Sequence, residues 1–597
     1  MTRPPLHPLP SVLARVRLLL ESPRLPLFVA LVGALLVSPA LFSGFATEDW
    51  VQRAQILNGA APLPSHLNLF GRDAHFTDAD TVKHDIEQQV FGWLPWVTDR
   101  HFEVSFFRPL ASLTHHLDYR AWPNHPWIMH AESTLWYAAV IIAVALLYRR
   151  LLEPRWAAGL ASFFYAVDDA HGHPVGWLIN RNSVMATLFA VLSLLSYDLF
   201  RREKKASGAI LTVLFLGLAL GSGEFALCIG GYFVAYALFV DDAPPSRRLL
   251  AASTWIVTFL AWAVSYRWLT HQSHGSGLYI DPLHDPLAYG SEVIERSTVL
   301  LMGQFGAPFS DLWVDSEPYA QGLLVFWAAM LVWVMAFTLW PLFRHDRRAR
   351  FWATGLLLSL LPASATFPED RLLLLAGVGA FPVIALWIAA LVDQPPWLGA
   401  RRRSATVLGW ALLFIHGAVA PLLLPYRSLK MFRYDHAMQA AGDRAFSYGG
   451  GASDEALIFV NARDYYFSGM TAVTRLARGQ KVGGRMLTVA GTLEELVIHR
   501  PTSQSLEVRP AHGFLSRAFN RIYRSRALPF TRGEGIELLG IHVFVKEVSQ
   551  WGEPLVAIFT FAFPLESSHY KWTVWKDGRY EPFQPPPVGA TIVVGGT

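Results

Sequence analysis

Cysteine is almost missing from this chain: among 597 residues the single one is Cys228, set inside an apolar run. No intrachain disulfide can form, so cysteine usage says nothing about redox compartment. Charge is scarce as well, at 16% of residues against 53% hydrophobic ones, a balance too apolar for a soluble enzyme of this length. The segment Pro425–Thr597 lacks a Gly-rich phosphate loop after a strand and a Ser/His/Asp arrangement, and the acid and histidine run Asp168–His173 lacks a standard zinc-ligand spacing. Internal repeats, which transporters often show, are missing as well. What the chain has instead is long apolar stretches, and these make it a polytopic membrane protein.

Windows of about twenty residues place spans at Pro26–Phe45, Ile128–Tyr148, Trp156–Val167, Ser183–Phe200, Ala209–Gly221, Phe225–Val240, Leu249–Thr270, Leu323–Phe343, Phe351–Phe367, Leu372–Val392 and Thr406–Leu424. That is about eleven. Trp156–Val167 and Ala209–Gly221 are short for a hydrocarbon core of about 30 Å, which suggests helices that stop in a protein-lined cavity. The first span is too long for a signal-peptide core and reads as an anchor. Val293–Trp313 is apolar but carries Glu295, Arg296 and Gln304, and is expected to lie along the surface.

The net charge of +4 is small, and its distribution matters more. Basic residues recur at every second connection: Arg15, Arg17 and Arg24; Arg149, Arg150 and Arg155; Arg201, Arg202, Lys204 and Lys205; Arg247 and Arg248; Arg344 to Arg350; Arg401 to Arg403. The positive-inside rule makes those connections cytoplasmic. Residues 1–25 are then a cytoplasmic N-terminus, 26–425 a transmembrane domain with a long outer loop at 46–127, and 426–597 an extracytoplasmic domain.

The outer connections share a pattern. Carboxylates stand at the membrane border as Glu48 and Asp49, Asp168 and Asp169, Glu224, and Glu369 and Asp370. Cations and imidazoles accompany them: Arg108, His115, His171, His173, Arg181 and Arg371. Charges at such places are expensive unless they face a polar cavity. Arginine suits phosphate, and a carboxylate in a partly dehydrated cleft suits general-base work or metal ligation. The competing reading is that helix-end charges only pair with each other. Asp168, Asp169, His171 and His173 also offer ligand types for a divalent metal within six residues. Trp93, Trp96, Trp122 and Trp127 read as an interfacial belt.

Five segments carry a family resemblance: "TEDW" at Thr47–Trp50, "FFRPL" at Phe106–Leu110, "HHLDY" at His115–Tyr119, "HPVGWLINRNSVMATLF" at His173–Phe189 and "EDRLLLLAGVGAF" at Glu369–Phe381. In this order, over Pro26–Val392, the chain resembles the GT-C superfamily of polyprenyl-phosphate-sugar-dependent glycosyltransferases, nearest the protein O-mannosyltransferase and TMTC-like branch and its bacterial membrane relatives. The resemblance implies transfer of a sugar from a lipid phosphate to a protein or glycan hydroxyl on the non-cytoplasmic face of a bacterial inner or plasma membrane. It implies Asp49 or Glu48 as the base that deprotonates the acceptor, and Arg108, His173, Arg181 and Arg371 as donor-phosphate ligands. His115, Asp169, Glu224 and Asp370 are further cavity candidates. The chain departs from the pattern in having Glu48 where the branch has a first aspartate, Gly176 and Trp177 where it has a Glu after His-Pro, and Gly223 where it has Lys before the Glu.

After Pro425 polar residues rise, Gly449–Gly451 marks a linker, and β-forming runs follow at Ala456–Val460, Ile536–Val548, Leu555–Phe563, Tyr570–Trp575 and Thr591–Val594, with a helix expected at Phe514–Tyr523. The expected fold is mainly α, a GT-C-like bundle with a C-terminal β-rich α+β domain for acceptor or partner contact. Membrane lipid and a polyprenyl-phosphate sugar are the expected partners, and nucleic acid is not one. A non-catalytic membrane scaffold with a degenerate GT-C fold is the alternative.

Overall fold

Backbone polar groups find no water in a bilayer, so an apolar run must close its own hydrogen bonds as a helix. In the computed structural model, which describes residues 12–57, 92, 94–99, 102, 106–269, 275–452, 454–482, 484–538 and 540–595, all eleven expected spans fall on helix. Among the described residues seven helices are long and apolar enough to cross a membrane: Leu25–Phe42, Pro126–Leu151, Leu178–Arg202, Pro245–Leu269, Pro318–His345, Asp370–Asp393 and Arg402–Phe446. Ala206–Ser222 and Glu224–Phe239 are shorter apolar helices. Arg155–Val167 has only 13 residues and is buried along most of its length. Pro286–Phe305 covers much of the stretch expected on the surface; it packs against Pro318–His345 and is not among the seven.

The helix Leu373–Asp393 runs through the middle of the bundle, with nearly every side chain buried. Pro382 sits inside it and lacks an N–H, which leaves the carbonyl of Val378 without its helical partner. The Tyr148 hydroxyl donates to that carbonyl at 2.9 Å. Tyr165 and Tyr232 donate likewise to the carbonyls of Leu374 (3.1 Å) and Leu375 (2.7 Å). Three helices are thereby keyed to one. At Gly379 an added Cβ would meet the Trp352 carbonyl at 2.6 Å, so glycine is what lets Arg347–Ala363 come this close.

The basic connections meet at one end of the bundle. Arg150 pairs with Asp198 and Glu203, Arg201 with Asp241, and Arg347 with Asp242. The opposite end carries the acid pair and the β-rich C-terminal region. Helix continues through the expected domain boundary as Ala420–Ser428 and Lys430–Phe446, so the two regions are joined by a rigid run. Among the described residues ten strands follow: β1 Ala456–Asn461, β2 Arg485–Ala490, β3 Leu496–Thr502, β4 Ser505–Pro510, β5 Gly535–Leu538, β6 Ile541–Val548, β7 Pro554–Phe561, β8 Tyr570–Lys576, β9 Arg579–Pro582 and β10 Thr591–Val594. One sheet has the order β2-β1-β8-β9, with β1 parallel to both neighbours and buried at all six residues, as parallel strands are. The other is antiparallel, in the order β10-β3-β4-β7-β6-β5.

Three expectations for this region change. Ile536–Val548 is a hairpin turning at Gly540, whose φ of 79° suits glycine, rather than one strand. Phe514–Tyr523 holds only a short 3-10 helix at Ala518–Tyr523, and an α-helix lies instead at Tyr465–Ala477, capped by the Asp464 carboxylate. Trp96 is no interfacial residue: it is 1% exposed, donates to the Val489 carbonyl at 2.9 Å, and packs edge-on against Phe514 and Phe559 in the β core. With Leu94, Val97 and Phe102 it sews the outer loop into the C-terminal domain. Trp127 is more than half exposed at the start of a spanning helix, as a belt residue would be, Trp122 is half-buried, and Trp93 lies outside the described residues.

Candidate active site

The acid pair opens the helix Glu48–Leu57, where the amide dipole favours negative charge. Asp49 is fully buried. One carboxylate oxygen accepts from the Ala46 N–H at 3.0 Å and the other from the Ile179 N–H at 2.9 Å, so Asp49 fastens this helix to the first turn of Leu178–Arg202. Burial pushes its carboxyl well above the usual range; the two amides pull it back, and Glu48 and Asp435 push it further up. Glu48 is half-buried beside Tyr466, whose phenol is pushed up by burial and then by the Glu48 charge. Next to the pair, a cavity of about 550 Å³ is lined by Phe45, Trp50, Arg53, Phe432, Asp435 and Gln439, among others. Asp435 also accepts from the Thr47 N–H at 3.0 Å.

Arg108 caps the start of Pro109–Ala121 and faces Glu224 in a two-pronged pair, its guanidinium 4.3 Å above the Phe106 ring. Burial opposes the charge on Arg108, but Glu224 more than offsets it, so the pair stays ionised. Gly223 leaves the room: a Cβ there would lie 3.0 Å from the Asn182 amide. Arg371 pairs with Glu369, and the half-buried Tyr279 phenol feels the guanidiniums of Arg108 and Arg371.

A second set of charges adjoins these. Arg427 binds three carboxylates, Asp370, Asp169 (3.0 Å) and Asp311 (2.8 Å). The Lys430 ammonium lies 3.1 Å from Asp311 and 3.4 Å from His173 Nδ1. His173 stacks on Trp177, and burial together with Lys430 keeps it well below its usual pKa, hence neutral. Burial raises Asp168 and Asp169, each also raised by carboxylate neighbours.

Of the expected donor residues, the structure brings Arg108, Arg371 and His173 into one network with Glu224, Asp169 and Asp370. Arg181 is elsewhere. Fully buried, it bonds Asp118, Glu132 (3.1 Å), Ser133 (3.0 Å) and the Met129 carbonyl (2.8 Å), and His115 is a buried neighbour of that group through Tyr119. Of the expected metal set, His171 Nε2 lies 3.6 Å from Asp168, while Asp169 turns to Arg427; His171 also meets the Tyr137 hydroxyl at 3.0 Å, and burial lowers its pKa to about 3. Among the described residues the group that does gather is His173, Asp311 and Glu369, with one ligand atom each within 4.8 Å of one another. Asp311, Arg427 and Lys430 were not singled out in the sequence. Their signal was there: Arg427 and Lys430 follow the last span as Glu48 and Asp49 follow the first.

The helix Lys430–Phe446 connects the two sets. Lys430 belongs to the cationic network, and Asp435, five residues or about 7.5 Å along the axis, belongs to the acid-pair pocket.

No family model matches the chain. It is similar to the protein O-mannosyl-transferase TMTC2 of Homo sapiens, 26% identical over 186 residues, which are 29% of this chain and 21% of that protein. TMTC2 of Mus musculus is 25% identical over 155 residues (24% and 18%), and TMTC3 of Mus musculus 25% identical over 137 (22% and 15%). The resemblance read from the sequence is thus found, over a stretch that spans about a fifth of these relatives' length. Among solved structures, ArnT from Cupriavidus metallidurans bound to undecaprenyl phosphate superposes with a TM-score of 0.33 at 12% identity, covering 77% of this chain and 89% of that one. Its apo form gives 0.31 at 14%, over 67% and 83%. Scores of that size do not by themselves establish a common fold.

Proposed function

We propose that this membrane protein is a GT-C-type glycosyltransferase that moves a sugar from a polyprenyl phosphate to an acceptor hydroxyl on the non-cytoplasmic side. The similarity to the protein O-mannosyl-transferases carries the reading. The clustering of Arg108, Arg371 and Lys430 near one bundle end, with an acid pair one helix away, supports it. In the reaction a carboxylate of the pair takes the acceptor's proton, the acceptor oxygen attacks the anomeric carbon, and the bond from that carbon to the phosphate oxygen breaks. The leaving phosphate keeps the electron pair, and the cationic network holds its charge. A carboxyl raised by burial, as in Asp49, is closer in pKa to neutral pH, where a general base works best. The cavity beside Trp50 and Phe432 is where the acceptor chain would lie.

One observation favours the scaffold alternative: both Asp49 oxygens already serve backbone amides. Incubating the purified protein with radiolabelled polyprenyl-phosphate sugars and membrane-protein or glycan acceptors separates the two. Transfer that is lost when Glu48 and Asp49 become amides supports the enzyme, and no transfer from any donor supports the scaffold.

A further inference from the structure

The group His173, Asp311 and Glu369 has the ligand types and closeness of a divalent-cation site. Two of its three residues already share a cation. Lys430 Nζ lies 3.1 Å from Asp311 and 3.4 Å from His173 Nδ1, so one ammonium bridges two of the three ligands. The third, Glu369, is engaged by Arg371, and Asp311 is bound a second time by Arg427. Four carboxylates (Asp169, Asp311, Glu369, Asp370) thus meet three cations (Arg371, Arg427, Lys430), and a divalent ion seated among the three ligands would lie against Lys430 with like charge.

We propose that Lys430 is the built-in cation of this site, occupying the place between His173 and Asp311 that a metal would take, and that it meets the donor phosphate without a metal ion. The choice rests on the transferase reading above. Exposure selects Lys430 within the cluster: 31% of its side chain is open, against 5% for Arg427 and 13% for Asp311. Arg427 is sealed among its carboxylates and organises them, while the ammonium can turn a third N–H toward an entering anion. The position also has a local cause. Lys430 is the first residue of the helix Lys430–Phe446, and the preceding turn holds Arg427, which shares Asp311 with it, so the chain delivers both cations together.

The test uses the purified full-length protein in detergent and two probes, undecaprenyl phosphate and Mn²⁺. Wild type should bind undecaprenyl phosphate equally well with EDTA and with Mn²⁺, and should show no saturable Mn²⁺ site by calorimetry. Lys430→Met should lose about tenfold or more in lipid-phosphate affinity, the scale of one charge-assisted hydrogen bond. It should also gain an Mn²⁺ site that His173→Ala then removes, and Mn²⁺ should restore part of the lipid binding. A wild-type Mn²⁺ site lost in His173→Ala, loss of lipid binding in EDTA, or unchanged lipid binding by Lys430→Met would each overturn the proposal. If wild type binds no undecaprenyl phosphate at all, the transferase reading fails, and the Mn²⁺ titrations of wild type and variant still decide which cation the site holds. Should Lys430→Met not fold, Lys430→Arg, which keeps the charge, must gain no Mn²⁺ site, and the wild-type titration stands alone.

Discussion

Replacing Asp49 by Asn separates chemistry from architecture. The carboxylate accepts two backbone N–H bonds, from Ala46 at 3.0 Å and Ile179 at 2.9 Å. Asn offers one carbonyl oxygen and one NH₂, so one of those amides loses its acceptor and faces a donor. An unsatisfied buried amide costs about 1–3 kcal/mol. Against a typical stability of about 5–15 kcal/mol, most molecules stay folded. A lost general base, by contrast, removes about 10²- to 10⁴-fold of turnover. Transfer rate and thermal unfolding should therefore be measured on the same preparation. pH adds a third readout. The Asp49 carboxyl is raised on folding, so its contribution to stability is fully present below about pH 4, its unfolded value, and is lost as pH rises through the folded value. Asp49→Asn should remove that part of the pH dependence. Unchanged transfer in Asp49→Asn would refute the assignment of this residue as base and move it to Glu48; unchanged transfer in the double amide variant would remove the pair from catalysis.

Arg108→Ala should weaken lipid-phosphate binding by about tenfold or more, as a charge-assisted contact is lost, and undiminished affinity would remove it from the donor site. Arg181→Met should leave Asp118 and Glu132 without their cation and cost about 3–5 kcal/mol, seen as a fall in unfolding temperature. A stable variant that fails only in donor binding would instead restore Arg181 to the donor set. Trp96→Ala should cost about 3–5 kcal/mol and raise proteolytic cleavage within 46–127, since Trp96 ties that loop to the β core; unaltered cleavage would show the tie to be weak. An accessibility tag after Lys205 should report the cytoplasm and one at Thr597 the opposite side. A Thr597 tag reached only from the cytoplasm would refute the odd span count.

Apolar runs and basic connections marked where helices form and the gathering of the arginines at one end, because each is a property of one segment in contact with its solvent; their number is another matter, since eleven spans were expected and, among the described residues, seven helices are long and apolar enough to cross a membrane. Acids at the borders of the outer connections marked Asp49, Glu224, Glu369 and Asp370 for the same reason: their cost is local. Partnership is not local. Arg108 and Arg181 look alike in sequence, yet one faces Glu224 beside Arg371 and the other is locked to Asp118 and Glu132. Trp96 looked like a membrane-border residue until β2 and β7 closed over it. Strands β2, β3, β4 and β9 escaped notice: β3 pairs with β4 and β9 with β8 across short turns, while β4 is also paired with β7, some fifty residues further along the chain. Only the packing of Lys430–Phe446 between two groups of charges placed Lys430 on Asp311 and His173, and such a meeting, across 119 and 257 residues of sequence, leaves no periodic trace.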